Sequence, residues 1–203
     1  MIVDDGSTDA LIDHVHQETL TNTVIHSSSH LHRGELLSYL YYLEHPFCDL
    51  VVILHDSVFL NSKLDTDSVQ DYRFIWSFRH NWDSPQLEIP LLQSMPDSEE
   101  LCAFYEKKHL WLGCFGGMSC VRHDFLRHVD RRYPLSSLIP LIRCRQDRMG
   151  FERVIACLFQ IVRPFSEQEV ASSSLALFGD IIQYYPWGIK FSHLPILKVW
   201  TGR

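Results

Sequence analysis

Residues 50–54 constrain the fold of this 203-residue chain more than any other segment. They form an uninterrupted apolar run, Leu-Val-Val-Ile-Leu, between Asp49 and the polar triplet His55-Asp56-Ser57. A strand with one face in water alternates apolar and polar residues, whereas an unbroken apolar run is typical of a strand covered on both faces. We therefore predict an α/β fold in which helices flank a mostly parallel sheet.

Strand-like and helix-like segments alternate along the chain, as in other α/β proteins. Predicted strands cover residues 2–3, 24–26, 50–54, 74–78 and 111–121, and predicted helices cover 10–19, 34–43, 99–108, 124–129 and 149–161. Ligands of such folds bind beyond the carboxyl ends of strands. Two polar clusters, Asp4-Asp5-Gly6-Ser7 and His55-Asp56-Ser57, follow predicted strands and are candidate binding segments.

Composition excludes several classes of protein. Hydrophobic residues make up 46% of the chain, which is typical of a globular protein. The net charge of −7 leaves no basic excess for phosphate backbones, so we expect no nucleic-acid partner. No apolar run approaches the ~20 residues that span a bilayer, and no signal-peptide pattern opens the chain, so we expect a cytoplasmic protein without a membrane span. Four of the six cysteines lie in apolar runs and are predicted to be buried thiols: Cys48, Cys114, Cys120 and Cys157.

The first nine residues, Met-Ile-Val-Asp-Asp-Gly-Ser-Thr-Asp, resemble the IVDDGSTD segment of nucleotide-sugar glycosyltransferases with the GT-A fold, especially family 2. In that family an aspartate of this segment contacts the nucleoside. The resemblance implies that Asp4, Asp5, Gly6 and Ser7 bind a nucleotide-sugar donor. Taken from the residues alone, the two aspartates could instead cap the following helix.

The segment 51–57 looks like the strand of the same family that ends in a DxD motif, whose carboxylates hold a divalent metal on the sugar diphosphate. The resemblance implies a Mn²⁺ or Mg²⁺ cofactor with Asp56 and His55 as ligands, and His193 as a late ligand of the kind some GT-A enzymes recruit. Imidazole in place of the first carboxylate favours Mn²⁺ over Mg²⁺. Asp56 could alternatively cap a turn at the strand end.

Three further segments keep the order of the family's motifs over residues 1–160. Arg33 stands where the family often has a basic residue near the nucleotide. Gly116 and Gly117 look like the glycines beside the donor sugar, although they could also form a bulge or tight turn. Glu152 resembles the catalytic base, with Asp147 as second candidate. Glu152 could instead form a structural ion pair with a neighbouring arginine.

The chain departs from the family in lacking the strand and helix that normally precede the first motif, so the GT-A fold is expected without its first strand. We expect one domain over residues 1–203, with a nucleotide-binding half at about 1–110 and an acceptor-binding half at about 111–203. Residues 198–203 could begin a linker to a further domain.

The resemblance implies an inverting hexosyltransferase that moves a sugar from a nucleoside diphosphate to the hydroxyl of a glycan or another acceptor. Two alternatives stay open. One is a nucleotidyltransferase or related nucleotide-binding enzyme, which would also use a strand-end carboxylate. The other is a non-catalytic remnant or sugar-binding module, which the missing strand and weakened DxD motif would suit.

Overall fold

A computed structural model describes residues 1–7, 21–181, 185–186 and 194–200 of the chain. This part is a mixed α/β structure with several small sheets. None of its helices combines the length and the apolar character needed to cross a membrane. The predicted helix 10–19 lies outside the described residues.

Ten short strands form four small sheets. Their bounds are β1 Ile2–Asp4, β2 Ile25–Ser27, β3 Leu50–Val52, β4 Val58–Leu60, β5 Tyr72–Phe74, β6 Ser77–Phe78, β7 Gly113–Cys114, β8 Ser119–Arg122, β9 Tyr185–Pro186 and β10 Ile196–Trp200. The sheets have the orders β1–β2, β4–β10–β9, β3–β8–β5 and β6–β7. The predicted strand 74–78 is thus split between β5 and β6, and the predicted strand 111–121 is divided into β7 and β8 by a 3₁₀ turn, Phe115–Gly117.

The described strands do not form the mostly parallel sheet that we expected. Only the β1–β2 and β9–β10 pairs are parallel, and the other four pairs are antiparallel. The run 50–54 is nevertheless covered on both faces, since Val51 and Ile53 pack against one apolar cluster and Leu50, Val52 and Leu54 against a second. The antiparallel strand β8 lies between β3 and β5, so coverage of both faces arises here without parallel neighbours.

Six helices cover the larger of the two apolar clusters or connect its strands. They are α1 Glu35–Glu44, α2 Pro85–Gln93, α3 Ser98–Tyr105, α4 His123–Arg132, α5 Arg145–Val162 and α6 Glu167–Ala171. The predictions of α1, α3, α4 and α5 are confirmed, whereas α2, which holds Pro90 in its interior, was not predicted. The 18-residue helix α5 is the main core helix, and its side chains from Phe151 to Phe159 are almost all buried.

A buried group of charges fixes the position of α5. Arg153 is 3% exposed, and its Nε lies 3.4 Å from Asp83 Oδ1 and 3.2 Å from Glu88 Oε1. Its Nη2 donates to the carbonyl of Trp82 at 2.7 Å. Buried charges are tolerated when they are paired and hydrogen-bonded in this way. The group ties α5 to α2 through Glu88 and to the preceding turn through Trp82 and Asp83.

Two further expectations are corrected. Cys114, Cys120 and Cys157 are buried free thiols, but Cys48 is exposed because it lies in the turn after α1. Residues 198–200 are not a linker in the described chain: they belong to β10, which pairs antiparallel with β4 through Lys198 and Val58.

Candidate functional site

Gly116 is the point at which three distant segments of the chain meet. Its N–H donates to the carboxylate of Glu152 on α5, and its carbonyl accepts a hydrogen bond from His55 Nε2 at 2.8 Å. The residue has φ of 61°, and a Cβ here would lie 2.6 Å from His55 Cε1. Only glycine allows both the left-handed backbone and the close imidazole contact. The structure therefore brings together His55, Gly116 and Glu152, which the sequence separates by almost a hundred residues.

The contacts of His55 assign its tautomer. A carbonyl only accepts, so Nε2 carries the hydrogen that points to Gly116, and Glu35 Oε1 lies 3.0 Å from the same nitrogen. The other ring nitrogen, Nδ1, lies 3.1 Å from Lys198 Nζ and accepts from its ammonium group. His55 thus links a carboxylate from the start of α1 to a lysine on β10.

Glu35 adds an acceptor to this cluster. Burial acts to raise the pKa of its carboxyl group, but the hydrogen bond from His55 and the charge of Arg148 hold that pKa below the ordinary value. Glu35 is therefore ionised at neutral pH. Its second oxygen, Oε2, is buried with no hydrogen-bond donor within reach in the described chain. A buried carboxylate oxygen without a donor is costly, because it has lost its hydration without a replacement hydrogen bond.

The pKa of Glu152 is shifted in the opposite direction to that of Glu35. Burial and the nearby charge of Glu35 raise the pKa of its carboxyl group to about 8. The charge of Arg153, whose Nη1 lies 3.8 Å from Glu152 Oε2, opposes that rise. The side chain keeps 17% of its surface exposed, so a ligand can reach it. A carboxyl group with this pKa accepts and releases a proton near neutral pH, which is the property of a general base.

Lys198 carries positive charge to the end of β3. Its Nζ donates to the hydroxyl of Ser57 as well as to His55. Burial lowers the pKa of the ammonium group, and the charges of Asp56, Glu35 and Glu152 oppose that change. Asp56 itself is exposed in the turn between β3 and β4. Four charged or titratable side chains, Glu35, His55, Glu152 and Lys198, therefore lie around one glycine turn.

The first motif forms a structured turn beside this cluster. Asp4 Oδ1 accepts from the backbone N–H of Ser7 at 3.0 Å, and the side-chain and backbone hydrogen bonds of Ser7 hold the pKa of Asp4 below its ordinary value. Asp5 accepts from the backbone N–H groups of Arg33 at 3.1 Å and Gly34 at 2.7 Å. Asp5 thus anchors the chain just before α1, which carries Glu35 into the cluster. Gly6, which follows Asp5 in this turn, has φ of 92°.

The remaining predicted residues differ in their proximity to the cluster. Gly117 adjoins it, since its carbonyl accepts from Tyr39 Oη at 2.6 Å and a Cβ on it would lie 3.2 Å from Glu35 Cβ. The guanidinium group of Arg33 donates instead to the carbonyls of Ile139 and Leu31.

Asp147 caps the start of α5, where Oδ2 accepts from the backbone N–H groups of Arg143 and Cys144. Asp147 and Glu152 therefore do not share a site. His193 lies outside the described residues.

The side chains at the end of β3 do not fit the expected divalent metal. Nε2 of His55 carries a hydrogen and Nδ1 faces the ammonium group of Lys198, so neither ring nitrogen offers a lone pair to a cation. Within the described ranges, no group of three His, Cys, Asp or Glu side chains is placed to hold a metal ion. Asp56 would be left as a single exposed carboxylate.

Sequence reasoning missed Glu35, Arg148 and Lys198. Arg148 lies between the two polar clusters, with Nη1 3.9 Å from Asp5 Oδ2 and its charge acting on Glu35. A signal for Lys198 was present, because it interrupts the run Ile196-Leu197-Lys198-Val199, and a lysine among buried residues requires a partner.

Comparison of the chain with protein-family models, with curated proteins and with solved structures gives no match.

Proposed function

We propose that this chain transfers a sugar from a nucleoside diphosphate donor to an acceptor hydroxyl, with Glu152 as general base. The observation that carries the proposal is the convergence on Gly116: its N–H holds Glu152, and its carbonyl holds His55. These residues belong to three separate segments that resemble glycosyltransferase motifs. The resemblance implies that these segments meet at one donor site, so their convergence supports it.

Glu152 and Glu35 suit two different tasks in such a transfer. Glu152, with a pKa of about 8, takes the proton of the acceptor hydroxyl as that oxygen attacks the anomeric carbon. The bond between the anomeric carbon and the diphosphate oxygen breaks, and the diphosphate leaves with the electron pair. Glu35 stays ionised, and its charge raises the pKa of Glu152. Pairs of carboxyl groups with separated pKa values are typical of acid–base active sites.

The proposal includes a GT-A-like arrangement of the strands. A GT-A-like arrangement is supported by the parallel pair β1–β2 and by the polar turns that follow β1 and β3. Arg148 connects these turns, since it lies near Asp5 and its charge acts on Glu35. A donor bound across both turns would meet the glycine turn and Glu152 on one side.

The test is release of nucleoside diphosphate from a panel of UDP-, GDP- and dTDP-sugars. With an acceptor present, Glu152→Gln should lower turnover by roughly 10²–10⁴-fold while leaving donor affinity almost unchanged. The matched control is Glu99→Gln, since Glu99 is exposed at the start of α3. Equal losses of turnover and of donor affinity in the Glu152 variant would assign Glu152 a structural role instead.

The pH dependence gives a second readout. Turnover of the native chain should rise with pH and level off above about 8, because only ionised Glu152 accepts the acceptor proton. A flat profile between pH 6 and pH 9 would contradict the assignment. Release of pyrophosphate from a nucleoside triphosphate in the presence of a sugar phosphate, with no release of nucleoside diphosphate from the sugar nucleotides, would instead identify a nucleotidyltransferase. An unchanged unfolding temperature with every nucleotide would identify a non-catalytic module.

A further inference from the structure

The expected metal and the observed side chains compete for the same place. A divalent cation at the end of β3 would neutralise the leaving diphosphate, and its ligands would be Asp56 and His55. The structure instead places the ammonium group of Lys198 against His55 Nδ1, at 3.1 Å, and against the Ser57 hydroxyl. Two cations cannot share that imidazole nitrogen, because its one lone pair accepts from the ammonium group.

We propose that Lys198 itself supplies the positive charge for the diphosphate, so that this chain binds nucleoside diphosphates without a divalent metal. This inference rests on the proposed function. The ammonium group of Lys198 on β10 takes the place of the divalent metal that the sequence resemblance implies.

Three features of Lys198 suit this role. An ammonium group has three N–H donors, and the contacts within the described residues use two of them, on His55 and Ser57. The neighbouring β10 side chains Leu197 and Val199 are 6% and 4% exposed, so the strand that carries Lys198 is fixed in the structure. Lysine is a common ligand of phosphate groups, to which it acts as a point charge.

The surrounding charges keep the lysine available for an anion. Asp56, Glu35 and Glu152 all favour its protonated form. In the described structure the ammonium group donates to two neutral acceptors, the imidazole Nδ1 of His55 and the hydroxyl of Ser57. A phosphate oxygen would therefore add a charged partner without breaking an existing salt bridge in the described structure.

The test measures binding of UDP, GDP and dTDP to the full chain by calorimetry, once with EDTA and once with Mn²⁺. The native chain should bind at least one of them in EDTA, with a dissociation constant close to that in Mn²⁺. Lys198→Met should weaken this binding by about tenfold or more, since it removes a charge-assisted contact. Lys198→Arg should keep most of the affinity.

Lys63→Met is the matched control, because Lys63 is exposed in the loop after β4. It should bind as the native chain does. Thermal unfolding of each variant shows whether it folds. If Lys198→Met does not fold, the native chain in EDTA together with Lys198→Arg decides the question.

Two results would overturn the inference, and they are distinguishable. Binding that requires Mn²⁺ and is unaffected in Lys198→Met would restore the metal and leave the glycosyltransferase proposal standing. Failure of all three nucleoside diphosphates under both conditions would remove the inference and the proposed function together. The donor-cleavage assay checks that second result independently of Lys198.

Discussion

Replacing Glu152 by Gln should stabilise the fold, and the gain should grow with pH. In the folded chain the carboxyl group has a pKa of about 8, whereas its ordinary value is 4.5. The folded state therefore binds the proton more tightly than the unfolded state does. Relative to acid pH, this group's contribution to stability is lost progressively from pH 4.5 upward, and the loss ends above pH 8.

The magnitude follows from the width of that interval. Neutral pH lies 2.5 units above 4.5, and each unit corresponds to about 1.4 kcal/mol, so protonating Glu152 in the native fold costs about 3 kcal/mol at pH 7. Gln has nearly the same shape and no proton to acquire. For a chain of this length the variant should unfold roughly 6–12 °C higher at pH 7, but only about 2–3 °C higher at pH 5, where the cost falls to about 0.8 kcal/mol.

The assay compares the unfolding temperatures of Glu152→Gln and the native chain at pH 5, 7 and 8. Comparison at each pH cancels the titration of all other groups. Glu99→Gln, on the exposed start of α3, should show no trend with pH. An equal difference between Glu152→Gln and the native chain at pH 5 and pH 8 would refute the electrostatic reasoning, because it would mean that Glu152 titrates alike in the folded and unfolded states.

Three further substitutions test the packing around the site and along α5, each by its urea midpoint. Gly116→Ala should destabilise the fold by more than about 1 kcal/mol, since its φ is positive and its Cβ would meet an imidazole carbon at 2.6 Å. Gly150→Ala, in the interior of α5 with only ordinary contacts at 3.4 Å and beyond, should stabilise it by about 0.5–1 kcal/mol, and the same sign for both would contradict this account. Arg153→Met should cost about 3–5 kcal/mol by leaving Glu88 buried without its cation, whereas Asp83 keeps Lys108; a loss below 1 kcal/mol would show that the network is not required.

Local patterns allowed α1 and α5 to be predicted from the sequence, because helical periodicity records which side of a helix is buried. The direction of strand pairing was not predictable in this way. The run 50–54 correctly indicated a strand covered on both faces. An antiparallel neighbour such as β8 meets that condition as well as a parallel one, and the run itself does not distinguish them.

The candidate site likewise contains some residues that the sequence could nominate and others that it could not. His55, Gly116 and Glu152 stand in segments whose order resembles that of a known family, so the sequence could nominate them. Glu35 and Lys198 belong to no such segment, and their roles arise from contacts across the fold. Lys198 is 143 residues from its imidazole partner, a pairing that only the register of β10 against β4 establishes.

The residues of the cluster therefore belong to parts of the fold that differ in their resistance to local unfolding. Glu152 and Glu35 sit on helices of the large apolar cluster, whereas β10 is anchored through Ile196 in the smaller one and pairs with short strands. Proteins open locally in cooperative units, and small peripheral sheets belong to the units that open first. Detachment of β10 would withdraw the ammonium group while the carboxylates stay in place. Mild denaturant should then abolish anion affinity before the core helices melt, so loss of binding and loss of helical signal would follow different curves.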